Sequence, residues 1–110
     1  MTHDEQSASR LLCADVLTTA VEPDGASAAL STAATRLSAG DVEIGLWEAG
    51  PGRDVDTEVD EVFLVLSGAG TVTFADGSEI TLRPGVLVRL HEGDRTTWVI
   101  SERLRKLYVV

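Results

Sequence analysis

EVFLVLSGAGTVTFADGSEITL, residues 61–82, decides how this chain folds. Glu61 leads an unbroken apolar run, Val62 to Leu66, and TVTFA at 71–75 alternates β-forming residues with threonine. Residues 59–67 read as the strongest strand of the chain, pairing with 71–75 across Ser67-Gly68-Ala69-Gly70. Asp76-Gly77 is a hairpin signal that turns the chain back into SEITL. Phe63 and Val65 share one face of the first strand, because side chains alternate, and Val62, Leu64 and Leu66 share the other. A strand that is apolar on both faces needs two covers.

The same pattern extends outward. In DVEIGLWE, residues 41–48, Val42, Ile44 and Leu46 alternate with Glu43, Gly45 and Trp47, the period of a half-buried strand. Gly50-Pro51-Gly52 breaks it. Arg83-Pro84-Gly85 and His91-Glu92-Gly93-Asp94 are turns that bracket VLVRL at 86–90. TTWVI at 96–100 and LRKLYVV at 104–110 supply the last strands. Short strands, tight turns and no convincing helix after residue 40 predict an all-β sandwich or barrel. Upstream, ASAALSTAATRL at 26–37 fits a helix through Ala26, Leu30, Ala33 and Leu37, but its serine and threonine content weakens that fit and leaves the segment open. Residues 1–10 are polar and predict a flexible tail, with one domain spanning 11–110.

A chain of 110 residues is one domain by size. Its formal charge of −9 argues against nucleic acid and anionic membrane surfaces, which require clustered Lys and Arg. Residues 83–110 hold six basic and three acidic residues, against three basic and fifteen acidic in 1–82. The two parts attract each other, which suits folding or subunit complementarity. Cys13 is the sole cysteine, so no intrachain disulfide forms. There is no signal-like N-terminus and no membrane-length apolar run, and a cytoplasmic location is expected. The outer face of VFLVL needs the N-terminal segment or a second subunit, so a homodimer is expected.

The run from Trp47 to Tyr108 resembles a cupin, a jelly-roll β-barrel built around two spaced motifs. Glu61 and Gly68 match the Glu-to-Gly interval that ends the first motif. Gly85, VLVRL and His91-Glu92-Gly93 follow the frame of the second. Trp47-Glu48, Pro51-Gly52, Glu61, Trp98 and the closing Arg105-Lys106-Leu107-Tyr108, with its Lys-x-Tyr, resemble, more closely, the small cupins related to ureidoglycine aminohydrolase. The resemblance covers residues 41–110. It implies the fold more strongly than any activity, since one barrel hosts many functions. Metal-binding cupins hold Fe, Mn, Ni or Zn with three His and one Glu. In that frame Asp54 and Asp56 stand at the His-x-His positions, Thr96 near the second-motif His, and only Glu61 is kept.

Asp54, Asp56 and Glu61 are therefore the candidate metal ligands, an all-oxygen set suited to Mg²⁺, Ca²⁺ or Mn²⁺. The more economical reading is that no cofactor is bound and the acidic stretch DVDTEVDE, residues 54–61, is a metal motif emptied, with Glu58 and Asp60 solvated and the charge balanced by Arg89 or Arg95. A calcium loop counted from Asp54 fails, with Val59 at the required glycine and Val65 at the bidentate Glu. Glu61, beside Phe63 and Val65, is the one candidate general acid or base. Free of metal, it could pair with Arg89. Glu61, Phe63, Trp98, Tyr108 and Arg89 are the candidate ligand-pocket residues, although Arg89 shares its strand face with Leu87 rather than with the apolar set. Lys106 reads as a structural ion-pair partner. His3 and His91 fall in a tail and a turn. One Cys and two His make no zinc site, Ser67 lacks a nucleophile-elbow frame, and GAG at 68–70 is no dinucleotide loop.

Three functions follow as expectations: a metal-independent cupin binding a small polar molecule, a Mn²⁺- or Mg²⁺-dependent aminohydrolase- or isomerase-like enzyme, or a non-catalytic dimer module.

Overall fold

The computed structural model describes residues 10–110. Apart from Arg10, the segment read as a tail lies outside those residues, as does His3. Among the described residues eight strands are formed: β1 Glu22–Pro23, β2 Ala33–Ser38, β3 Ile44–Ala49, β4 Gly52–Thr57, β5 Glu61–Phe74, β6 Glu79–Leu82, β7 Leu87–Leu90 and β8 Arg95–Val109. All pairings are antiparallel, and the all-β jelly roll read from the sequence is the fold observed.

Two long strands organise it. β5 and β8 pair along nearly their whole length. Near one end they extend a layer in the order β1-β2-β3-β8-β5-β7. Near the other, β4 joins β8 and β6 joins β5 to make a second layer. Between the two, the β5–β8 register shifts repeatedly from Val65 to Gly70.

This corrects two sequence expectations. Residues 59–67 and 71–75 do not pair with each other across Ser67–Gly70; they are halves of one bent strand. TTWVI and LRKLYVV are likewise halves of β8. Gly68 explains the bend. Its φ is +90°, a conformation that glycine adopts without strain, and a Cβ there would collide with the backbone oxygen of Arg103 and the Cα of Leu104. The glycines that suggested a turn instead let two strands change layer side by side.

Residues 26–37 resolve into a loop followed by β2. Thr32 and Ser27 donate hydroxyls to carboxylates, and backbone groups bond Asp24 to Thr32, so the Ser/Thr/Asp content serves turn chemistry rather than a helix.

Phe63, Val65, Val88, Leu90, Leu104 and Ala49 from the first layer meet Val72, Leu82, Trp98 and Ile100 from the second in one core. Burying Phe63, Leu82 and Leu104 completely contributes on the order of 2 kcal/mol each from hydrophobic transfer. On the outer side, the buried Arg105 guanidinium bonds Glu48 at 2.7 Å and the carbonyls of Val16 and Thr19 at 2.8 and 2.6 Å. The N-terminal segment thus supplies part of the expected outer cover, while Leu87 is 69% exposed. Basic Arg103, Arg105 and Lys106 all pair with acids from the first part of the chain, the complementarity that the charge asymmetry suggested.

Gly68→Ala should therefore destabilise the fold by at least ~2 kcal/mol in urea denaturation. Gly77 has the same sign of φ but open space around it, so Gly77→Ala should cost only about 1 kcal/mol. Equal losses would show that backbone conformation, not the close crossing, makes Gly68 necessary.

Candidate functional site

The first layer leaves a cavity of about 480 Å³ between itself, β4 and the loop before β2. Its floor is aromatic. Trp47 and Phe63 from the first layer both approach Trp98 from the second, with ring centroids 5.7 and 5.6 Å apart. Lys106 enters among these rings, its Nζ lying 4.6, 4.4 and 5.1 Å from the centroids of Trp47, Phe63 and Trp98. The ammonium donates to Glu61 Oε2 at 2.6 Å, and the two side chains are only 7% and 13% exposed.

Strand register explains the arrangement. Trp47 stands opposite Lys106 across β3 and β8, and Lys106 opposite Val65 across β8 and β5. Alternation then sends Trp47, Lys106 and Tyr108 inward together. Gly45 faces Tyr108, and a Cβ there would overlap the phenol ring, so this glycine makes room for the aromatic wall. Tyr108 donates its hydroxyl to Glu43 Oε2 at 2.9 Å. Burial foremost, then the Glu43 bond and charge, push its pKa up to about 12.

The residues read from the sequence are distributed unevenly. Glu61, Trp98 and Tyr108 line the cavity, as do Asp54 and Asp56. Phe63 is fully buried beneath it, forming floor rather than lining surface. Arg89 lies elsewhere: it alternates with buried Val88 and Leu90, so its side chain faces outward and is exposed. Glu61 takes Lys106 as its partner instead of Arg89, because only Lys106 shares its inner face.

Asp54 and Asp56 do not join Glu61 as a metal-binding set. Asp54 Oδ2 accepts the Ser27 hydroxyl at 2.5 Å and Oδ1 the Val55 amide at 2.8 Å. Those bonds, the Ser27 hydroxyl first, hold its pKa below the ordinary carboxylate value. Asp56 accepts the Thr57 amide, and Glu61 is bound by Lys106. Among the described residues, no three His, Cys, Asp or Glu side chains converge to hold a metal ion. The donors present do not fit the His-rich metal centre of the wider fold, nor the all-oxygen alternative.

Glu58, expected to be solvated, instead turns into the site. Its Oε2 accepts the Thr96 hydroxyl at 2.6 Å and the Trp98 indole N–H at 3.0 Å. Asp60 accepts the Glu92 amide. Arg89 and Arg95 make no ion pair among the described residues, so the acidic stretch is tied down mainly by hydroxyl and amide donors. The loop at 24–32 adds Asp24, Ser27, Leu30 and Thr32 to the wall.

Lys106 was the important residue missed as part of the site. Its signal is in the composition: it is the only lysine of the chain, all eight other basic residues being arginine. An arginine could not present a compact ammonium to three rings and one carboxylate.

Residues 36–108 match the family described as the EutQ-like cupin domain. The chain belongs to that family. Among solved structures, this cupin is similar to a protein described as ethanolamine utilization protein Q from Salmonella typhimurium, at 20% identity and a TM-score of 0.63 over 71% of this chain and 67% of that one. Ectoine synthase from P. lautus superposes with a TM-score of 0.67 at 13% identity, over 76% and 64% of the two chains. A DUF861-family protein from Thermotoga maritima shares 30% identity over 57% of this chain and 73% of its own, with a TM-score of 0.54. The chain thus spans about two thirds of the length of the first two. No curated protein sequence matches it, so the finer resemblance to ureidoglycine aminohydrolase cupins rests on the motif residues alone. No helix among the described residues is long and apolar enough to cross a membrane.

Tyr108 is the only tyrosine, so its titration can be read directly from tyrosinate absorbance. The midpoint should lie near about 12 in the folded protein, against ~10 for a free tyrosine. Because the folded pKa is the higher one, Tyr108 contributes stability below the unfolded pKa that is lost as pH rises through the folded value. Glu43→Gln should lower the midpoint without bringing it to the free value, since burial is the largest cause. A midpoint near ~10 in a protein still folded would contradict the half-buried, hydrogen-bonded phenol.

Proposed function

We propose that this cupin binds a small polar molecule in the cavity over Lys106 and Glu61, without a bound metal ion. The observation that carries the reading is the 2.6 Å pair between Lys106 and Glu61. Glu61 is the one carboxylate retained at a metal-ligand position of the cupin frame, and an intrinsic ammonium already neutralises it. A fixed cation in an aromatic floor gives the site a polar anchor that needs no cofactor. The cavity volume of about 480 Å³ falls within the ~300–1,000 Å³ usual for small-molecule sites. Trp47, Trp98 and Tyr108 supply apolar wall, and Glu43, Glu58 and Asp56 supply acceptors that orient a ligand.

Elemental analysis of protein purified without chelator tests the metal-free part of this reading. Mn, Mg, Fe and Zn should all be far below one per chain, and melting temperature should not respond to divalent cations or chelator. Stoichiometric Mn or Mg that disappears in Asp56→Ala would overturn the proposal in favour of a metal-dependent enzyme.

A further inference from the structure

The cavity has one polar feature that a generic polar ligand leaves unused. An ammonium has three N–H donors, and Glu61 takes one; among the described residues no other hydrogen-bond acceptor meets Lys106 Nζ. The remaining donors sit in a floor where the lysine is nearly all buried. Rings compensate a cation only in part, and a buried unmatched donor costs roughly 1–3 kcal/mol. The floor therefore favours a ligand oxygen.

The wall has the opposite demand. Among the described residues Lys106 is the only cation bordering the cavity, and Glu61 already balances it. Glu43 pairs with Arg36 at 3.3 Å. Asp24, Asp54, Asp56 and Glu58 also border the cavity and have no ion-pair partner among the described residues. Four carboxylates met only by uncharged hydroxyl, amide and indole donors create a negative potential that attracts a cation and disfavours an anion. Metal is a poor answer, because the carboxylates do not converge. An organic ammonium, which needs no fixed coordination geometry, suits separated acceptors.

We propose that the ligand is a small amine carrying an uncharged carbonyl oxygen, of the amino-amide class. Its carbonyl oxygen meets the free donors of Lys106, and its ammonium faces the wall of Asp54, Asp56 and Glu58. Hydrocarbon between the two groups lies against Trp47 and Trp98. This inference rests on the cavity being the ligand site and specifies what enters it. A dicarboxylate fails at the wall, a simple alkylamine leaves Lys106 unmatched, and a simple amide gains nothing from the carboxylates.

Binding is read from tryptophan fluorescence, since both tryptophans of the chain line the cavity. The probes are ω-amino amides from glycinamide to 6-aminohexanamide, with the matching alkylamines, simple amides, diols and dicarboxylates. At least one amino amide should bind saturably and roughly tenfold more tightly than either matching half, the gain expected of one charge-assisted hydrogen bond. Its affinity should fall with added salt and drop about tenfold in Asp56→Asn, whose exposed side chain makes that variant safe for folding. Tight binding of a diol or dicarboxylate without any amino amide would overturn the inference and leave the cavity as a ligand site. Failure of every probe would sink both. Amino-amide affinity unchanged by salt and by both Asp56→Asn and Glu58→Gln would also overturn the assigned ammonium wall.

Discussion

The ion pair between Lys106 and Glu61 is the constraint around which the rest of the barrel is arranged. Taking two charges out of water costs several kcal/mol per ion, and only close geometry with further compensation offsets it. Here the compensation is a 2.6 Å contact and three aromatic rings within 5.1 Å of Nζ. The rings come from β3, β5 and β8, so the pair is stabilised only when those strands hold their register. One residue of slip would send Lys106 outward and Arg105 inward. Arg105 opposes that slip from the other face, clamped to Glu48 and to the N-terminal segment. The two cations, adjacent in sequence and opposite in direction, fix β8 between a core and a cover.

The same pair neutralises Glu61 from within the chain, through a lysine of β8 at 2.6 Å. Asp54 now holds the loop at Ser27, and Thr96, near the second-motif position, holds Glu58 against Trp98. Together these residues make a hydrogen-bonded wall. The site is therefore asymmetric, with a cation at its floor and, at its side, carboxylates that have no ion-pair partner among the described residues; the proposed ligand is the one that this asymmetry favours.

Much of the fold was legible because alternation and turn chemistry are local. VFLVL, TVTFA, Asp76-Gly77 and VLVRL announce strands and hairpins through neighbouring residues alone. The bends in β5 and β8 were not legible, because Gly68 and Gly70 look like a turn unless the crossing of Arg103 and Val99 is known. The pairwise placement of Glu61, Trp98 and Tyr108 around one cavity followed from strand parity and the cupin motifs. Parity had also set Arg89 on the outward face, where it lies. Lys106 escaped because an ion pair between residues 61 and 106 depends on which strands become neighbours, and Glu58 because its strand ends before it and its side chain turns inward. The Lys-x-Tyr ending at Tyr108 marked Lys106 as an ion-pair residue, and its being the single lysine pointed the same way, but neither named Glu61 as the partner.

Lysine-selective isotope labelling followed by NMR tests the central claim most directly, since Lys106 contributes the only lysine side-chain signals. The account predicts one set of ε-methylene and ammonium resonances, displaced upfield by ring currents, with cross-relaxation to Trp47, Phe63 and Trp98. Side-chain signals at free-lysine positions, with no contact to any aromatic ring, would contradict it.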